Sequence, residues 1–142
     1  MGLQYPPKPG TIVICDYSTG FKEPEMVKER LAVVISPRLP KRDNLCTVVP
    51  LSTSIPAHRT NYQVRIELPV EAPDPYPGKF KWAKSDMMAT VSYNRLKLPF
   101  TDRDPNTGKR KYLQIILVEE ELAKVREALL FALGLDHLTK NL

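Results

Sequence analysis

"KERLAVVISP" (residues 28–37) and "CTVVPLSTS" (residues 46–54) each set side chains able to grip an anion at one end of a run that can only be core. Lys28 and Arg30 stand before the first run, and Ser52, Thr53 and Ser54 end the second. A guanidinium stays protonated and offers parallel N–H donors that match two phosphoryl oxygens. A hydroxyl closing a neighbouring strand adds a further donor. Together these groups suit holding a phosphate and stabilising charge that develops on it. Two answers to the charge at the mouth of a buried strand stay open. Glu25 and Glu29 are near enough in sequence to make Arg30 an ordinary strand-edge ion pair, and Ser/Thr clusters after strands commonly serve turns and caps; otherwise the partner is a ligand.

Other residues extend the set. His58 and Arg59 follow "IPA" in the loop after Ser52, where His58 is either a candidate base or an exposed polar side chain. Lys79, Lys81 and Lys84 interleave with Phe80 and Trp82, a pattern that can track a phosphate backbone and stack a base. Equally, the aromatic rings could pin a proline-rich loop with the lysines outward. Cys15 and Cys46 sit inside apolar runs, without chelating spacing, and read as reduced core residues. The two histidines are far apart and stand in no ligand pattern, so neither a metal site nor a cofactor is expected.

The elements that must position these groups are short. The 142 residues suffice for one core, so residues 1–142 read as a single domain. Fourteen prolines between β-branched runs favour strands joined by stiff turns. Strands are expected at 11–17, 31–36, 45–52, 61–68, 86–92 and 111–118, several of them apolar on both faces, as in a small barrel also covered from outside. Residues 69–82, with four prolines and a glycine, are expected to form an extended connection with no ladder. Leu122, Val125, Leu129 and Leu133 recur at helical spacing, with Leu130 and Val118 able to join the stripe. Three glutamates open this segment and Gly134 closes it, so a helix is expected over 119–133. The fold class is mostly β with a C-terminal helix.

The net charge of +5 and pI near 9.2 favour a polyanionic or acidic partner. All of the basic excess lies in residues 1–115, and residues 116–142 are acidic on balance. No apolar run approaches the length of a spanning helix, and the N-terminus has no signal-like stretch, so no membrane association is expected and the cytoplasm is the default compartment.

Taken in order, "PGTIVICDY", a glycine-containing loop, Arg30 before "AVVIS", "VVPLSTS" and "SDMMATVSYNRL" resemble the MazF/PemK family of toxin–antitoxin ribonucleases over roughly residues 8 to 98. The resemblance implies an SH3-like small barrel of the CcdB/MazF type, a homodimer, and metal-independent cleavage of single-stranded RNA. Attack by the ribose 2′-hydroxyl would leave a 2′,3′-cyclic phosphate. It also implies an acidic antitoxin protein competing for the basic groove. The family's catalytic Arg falls on Arg30 and its catalytic Thr on Ser52, with Thr53 adjacent; Asp86 and Arg95 fall on more structural positions. The RNA-binding set is then Lys28, His58, Arg59, Lys79, Lys81, Trp82 and Lys84. Two departures stand out: Leu31 where the family usually has Pro, and Ser52 in place of Thr. The alternatives are a non-catalytic CcdB-like toxin acting on a protein such as gyrase, and a nucleic-acid-binding barrel without chemistry.

Overall fold

The structure, a computed structural model, describes residues 2–141. Seven strands form one antiparallel sheet: β1 (Ile12–Asp16), β2 (Glu29–Val34), β3 (Leu45–Ser52), β4 (Gln63–Glu67), β5 (Phe80–Lys84), β6 (Ala89–Ser92) and β7 (Leu96–Lys97). Among the described residues one α-helix, α1 (Glu119–Ala132), follows. The strand order is β4-β5-β3-β2-β1-β7, with β6 also paired to β3. The chain itself completes the path β6-β3-β2-β1-β7, because the 3-10 turn Tyr93–Arg95 joins β6 to β7. The fold class is as expected: mostly antiparallel β with one C-terminal helix.

Strands apolar on both faces require two cores, and both are present. Val13, Cys15, Ala32, Val34, Cys46, Val48, Val91 and Leu96 fill the inner side, closed by Tyr17, Met26 and Tyr93. The alternate residues Ile12, Ile14, Leu31, Val33, Val49 and Leu51 form the outer core with Ile66, Ala83 and the helix residues Leu122 and Val125. Because side chains alternate along a strand, one strand supplies both clusters, so α1 covers what an ordinary half-exposed sheet would leave wet.

Three expectations need correction. Residues 80–84 are a strand, paired with β4 over its whole length from Glu67↔Phe80 to Gln63↔Lys84. The last proline of the connection is Pro77; beyond it every amide can donate, and Leu68 N–H bonded to Lys79 O at 2.7 Å opens the ladder. Conversely, 111–118 is not a strand. Ile115 and Leu117 are buried, but the segment makes isolated bridges, Thr11↔Ile116 and Phe100↔Tyr112, and its bonds go to Ile12, Gly10, Pro99 and Thr101. It borders the start of β1 too briefly to propagate a ladder. In α1 the buried face is Leu122, Val125 and Ala128, whereas Val118 and Leu133 are half-exposed. The chain leaves the helix at that point: Gly134 (φ +75) donates to Phe131 O and Leu135 to Leu130 O, a Schellman closure that needs the left-handed glycine. Of the remaining strands β3 keeps its expected bounds, β1, β4 and β6 are trimmed, β6 starting only after a 3-10 turn at Ser85–Met87, β2 lies two residues earlier than expected and so takes in Arg30, and the two-residue β7 is an addition.

Candidate active site

Arg30 is the second residue of β2 and is half-buried. Strand alternation puts it on the side of Ala32 and Val34, the inner-core side, opposite Cys15 of β1. Its Nε donates to Val27 O at 3.2 Å, which ties the guanidinium to the end of the preceding loop. The carboxylates that could have neutralised it are engaged elsewhere. Glu29 takes Lys97 Nζ at 3.5 Å and the Tyr76 hydroxyl, and Glu25 accepts the Lys22 amide at 3.0 Å. Among the described residues Arg30 forms no ion pair. Of the two answers left open by the sequence, the strand-edge ion pair is absent.

Ser52 closes β3 on the same face. The β2–β3 register runs through Ala32↔Pro50, and continued by two residues it sets Arg30 opposite Ser52. Ser52 is 6% exposed, and its Oγ accepts the Ser54 amide at 3.1 Å. A hydroxyl that accepts in this way still has its proton to donate, so Ser52 is placed to bind an anion and not to act as an unassisted base. Thr53 is exposed beside it. Leu31 is buried in the outer core and paired with Ile14, so this departure from the family pattern serves packing.

The loop from Tyr17 to Lys28 precedes Arg30 and is closed at its ends. Tyr17 N–H bonds to Lys28 O at 2.9 Å, and Lys28 is exposed with φ +72. Arg95 clamps the loop: its Nη1 donates to Asp16 O at 2.9 Å and Thr19 O at 2.8 Å, with its guanidinium 4.9 Å over Phe21. Across from it, Tyr76 reaches from the proline-rich connection to Glu29, donating to the backbone O at 3.3 Å and to Oε1 at 3.4 Å. Burial, with the Glu29 carboxylate adding to it, pushes this phenol up to about 12.

Lys81 leaves the expected RNA-binding set. It is 1% exposed, and its Nζ donates to Tyr76 O at 3.0 Å and Pro77 O at 2.8 Å. Burial holds its ammonium below the ordinary lysine range, partly offset by Glu71. In β5 the odd positions face the outer core with Ile66 and Ala83, so Lys81 turns inward and anchors the connection that carries Tyr76. Its neighbours Trp82 and Lys84 lie on the opposite, site-side face and are half-exposed, while Lys79, His58 and Arg59 are exposed in loops.

Pairing extends the row. Ser52 pairs with Trp82, and Trp82 with Arg65; residues directly opposed in an antiparallel ladder share a face. Arg65, Trp82 and Ser52 therefore cross three adjacent strands at steps of about 4.8 Å, with Arg30 on the same face of β2 just beyond the last β2–β3 pair, Ala32↔Pro50. Sequence reasoning missed Arg65, although the alternation Gln63, Arg65, Glu67 marked the wet face of β4. Among the described residues no group of three His, Cys, Asp or Glu is arranged to hold a metal ion, and no helix is long and apolar enough to cross a membrane.

The family model for the PemK-like, MazF-like toxin of type II toxin–antitoxin systems matches residues 8–133. Two full-length relatives are an uncharacterized protein of Haemophilus influenzae, 31% identical with 95% of each chain covered, and the uncharacterized protein YifN of Escherichia coli K12, 28% identical with 92% and 93% covered. Among solved structures, MazF from Deinococcus radiodurans superposes with a TM-score of 0.59 at 20% identity, covering 92% of this chain and 99% of that one. An endoribonuclease from a mycobacterial species superposes at 0.57 and 18% identity, covering 92% and 94%. At these identities the two structures establish the likeness of fold.

Proposed function

The chain belongs to the PemK-like, MazF-like toxin family of type II toxin–antitoxin systems, and on that footing we propose that it is a metal-independent endoribonuclease cleaving single-stranded RNA. The observation that carries the reading is the unpaired, half-buried guanidinium of Arg30, on the same face as the donor-ready hydroxyl of Ser52. A cation tethered to Val27 O and without an ion-pair partner among the described residues is suited to an anion that arrives with the substrate.

In the reaction, the ribose 2′-oxygen attacks the adjacent phosphorus in line with the departing 5′-oxygen. The new P–O2′ bond forms as P–O5′ breaks, the 2′-proton is lost, and the leaving oxygen gains a proton. The products are a 2′,3′-cyclic phosphate and a 5′-hydroxyl. Arg30 stabilises the charge on the pentacoordinate phosphate, Ser52 donates to a phosphoryl oxygen, and Thr53 stands next to it. Lys28, Arg59, Lys79 and Lys84 supply the field that draws in the strand, with His58 in the loop beside the row. A type II toxin has an antitoxin partner; here it is an acidic protein competing for this basic face. The active species is a cytoplasmic homodimer.

The test incubates purified protein with matched single-stranded RNA and DNA in excess chelator and maps the ends. RNA-only cleavage leaving cyclic phosphate is expected, with survival of RNA carrying deoxyribose at the cleaved position. Intact RNA would overturn the reading and move attention to a protein target.

A further inference from the structure

Beside the row lies a cleft of about 940 Å³ to which the chemistry above assigns no ligand. It opens between the 53–62 loop, the β4–β5 edge and the C-terminal end of α1, and Ile55, Arg59, Thr60, Arg65, Trp82 and Phe131 line it. We infer that this cleft is the subsite for a nucleobase of the RNA strand next to the bond that is cut, with Trp82 as its stacking platform and Arg65 as the contact for the following phosphate. The inference rests on the ribonuclease reading for the identity of the strand.

Three observations carry it. Trp82 is the neighbour of Ser52 in the ladder and on the same face, so a base lying on its ring belongs to a nucleotide adjacent to the phosphate at Ser52. Arg65 follows one strand further, about 10 Å from Ser52 by strand spacing. Its guanidinium sits 4.0 Å over the Phe80 ring, which fixes it while its N–H donors remain at the rim for a phosphate. Lys124 on the wall is paired with Glu121 at 3.0 Å, and Arg59 and Arg65 are matched in number by Glu127 and Asp136.

Trp82 is the protein's sole tryptophan, so its fluorescence reports this site alone. The probes are 2′-O-methyl oligouridylate and oligoadenylate, which lack the attacking hydroxyl, and an abasic chain of equal length and charge. Quenching by the base-bearing chains is expected, with an affinity about 5 to 150 times that for the abasic chain. Trp82→Ala should abolish that preference and Trp82→Phe should keep most of it, both measured by competition with labelled RNA. Absence of quenching, or equal affinity for base-bearing and abasic chains, overturns the subsite even where RNA is cut. Quenching and base preference in a protein that leaves RNA intact uphold the subsite and defeat the ribonuclease reading instead.

Discussion

Truncating Arg30 separates a binding cation from a structural one. The guanidinium makes one hydrogen bond, to Val27 O, and no ion pair among the described residues. Arg30→Ala therefore costs the fold about 1 kcal/mol, a shift of about 3 °C in melting temperature. On the proposed ribonuclease reading, catalysis loses far more. Removing one preorganised donor from a developing oxyanion costs about 2.7–4 kcal/mol, or roughly 100- to 1,000-fold in rate, and no second cation stands at the same place in the row to substitute for it. Single-turnover cleavage at saturating enzyme reads the chemical step, and thermal melting of the same preparation reads the fold. Arg30→Lys keeps a charge but loses the forked donors and the Val27 tether, so about tenfold of the loss should return. A rate for Arg30→Ala within about threefold of wild type would refute the assignment.

The remaining expectations concern the scaffold. Leu122→Ala, in the outer core at 3% exposure, should cost about 2–5 kcal/mol in denaturant melts, whereas Leu133→Ala, at 50% exposure, should cost about 0.5 kcal/mol or less. Arg95→Ala should cost about 2 kcal/mol through its two carbonyl contacts and raise proteolytic nicking within residues 17–28. Lys81→Met should destabilise the fold yet leave the salt slope of RNA binding unchanged, whereas Lys84→Met should lower that slope by about 0.7; a reduced slope for Lys81→Met would put its ammonium back among the phosphate contacts. Stability should also fall under alkali. Burial pushes Cys15 and Cys46 from 9.0 up to about 11, so the unfolded chain releases these protons first. Stability present below pH 9.0 is then lost as pH rises through about 11, by roughly 2–3 kcal/mol per thiol. Lys81, held below its ordinary 10.5, works in the opposite direction over the approach to that value. A Cys15→Ala, Cys46→Ala double variant should show a flatter alkaline limb, measured by denaturant midpoints against pH.

Much of this was legible in the chain because it depends on local rules. Runs such as "TIVICDY" and "CTVVPLS" had to be strands, and their apolarity on both faces already required two cores. The glutamates and Gly134 bounded the helix, and the positions of Arg30 and Ser52 at strand ends marked them as held yet reachable. What local rules could not supply was pairing. Lys79, Lys81 and Lys84 look equivalent in sequence; only the β4–β5 register turns Lys81 toward the outer core and leaves Lys84 on the site face. The run 111–118 has every mark of a strand, but a ladder needs a free edge of matching length, and the edge of β1 is taken by β7. Whether Glu29 would neutralise Arg30 was likewise undecidable from spacing, because its choice of Lys97 and Tyr76 depends on long-range neighbours. Side-chain type and period fix what each segment is; which faces meet across the sheet, and hence which charge is left for a ligand, follows from non-local hydrogen-bond registers that only the folded chain contains.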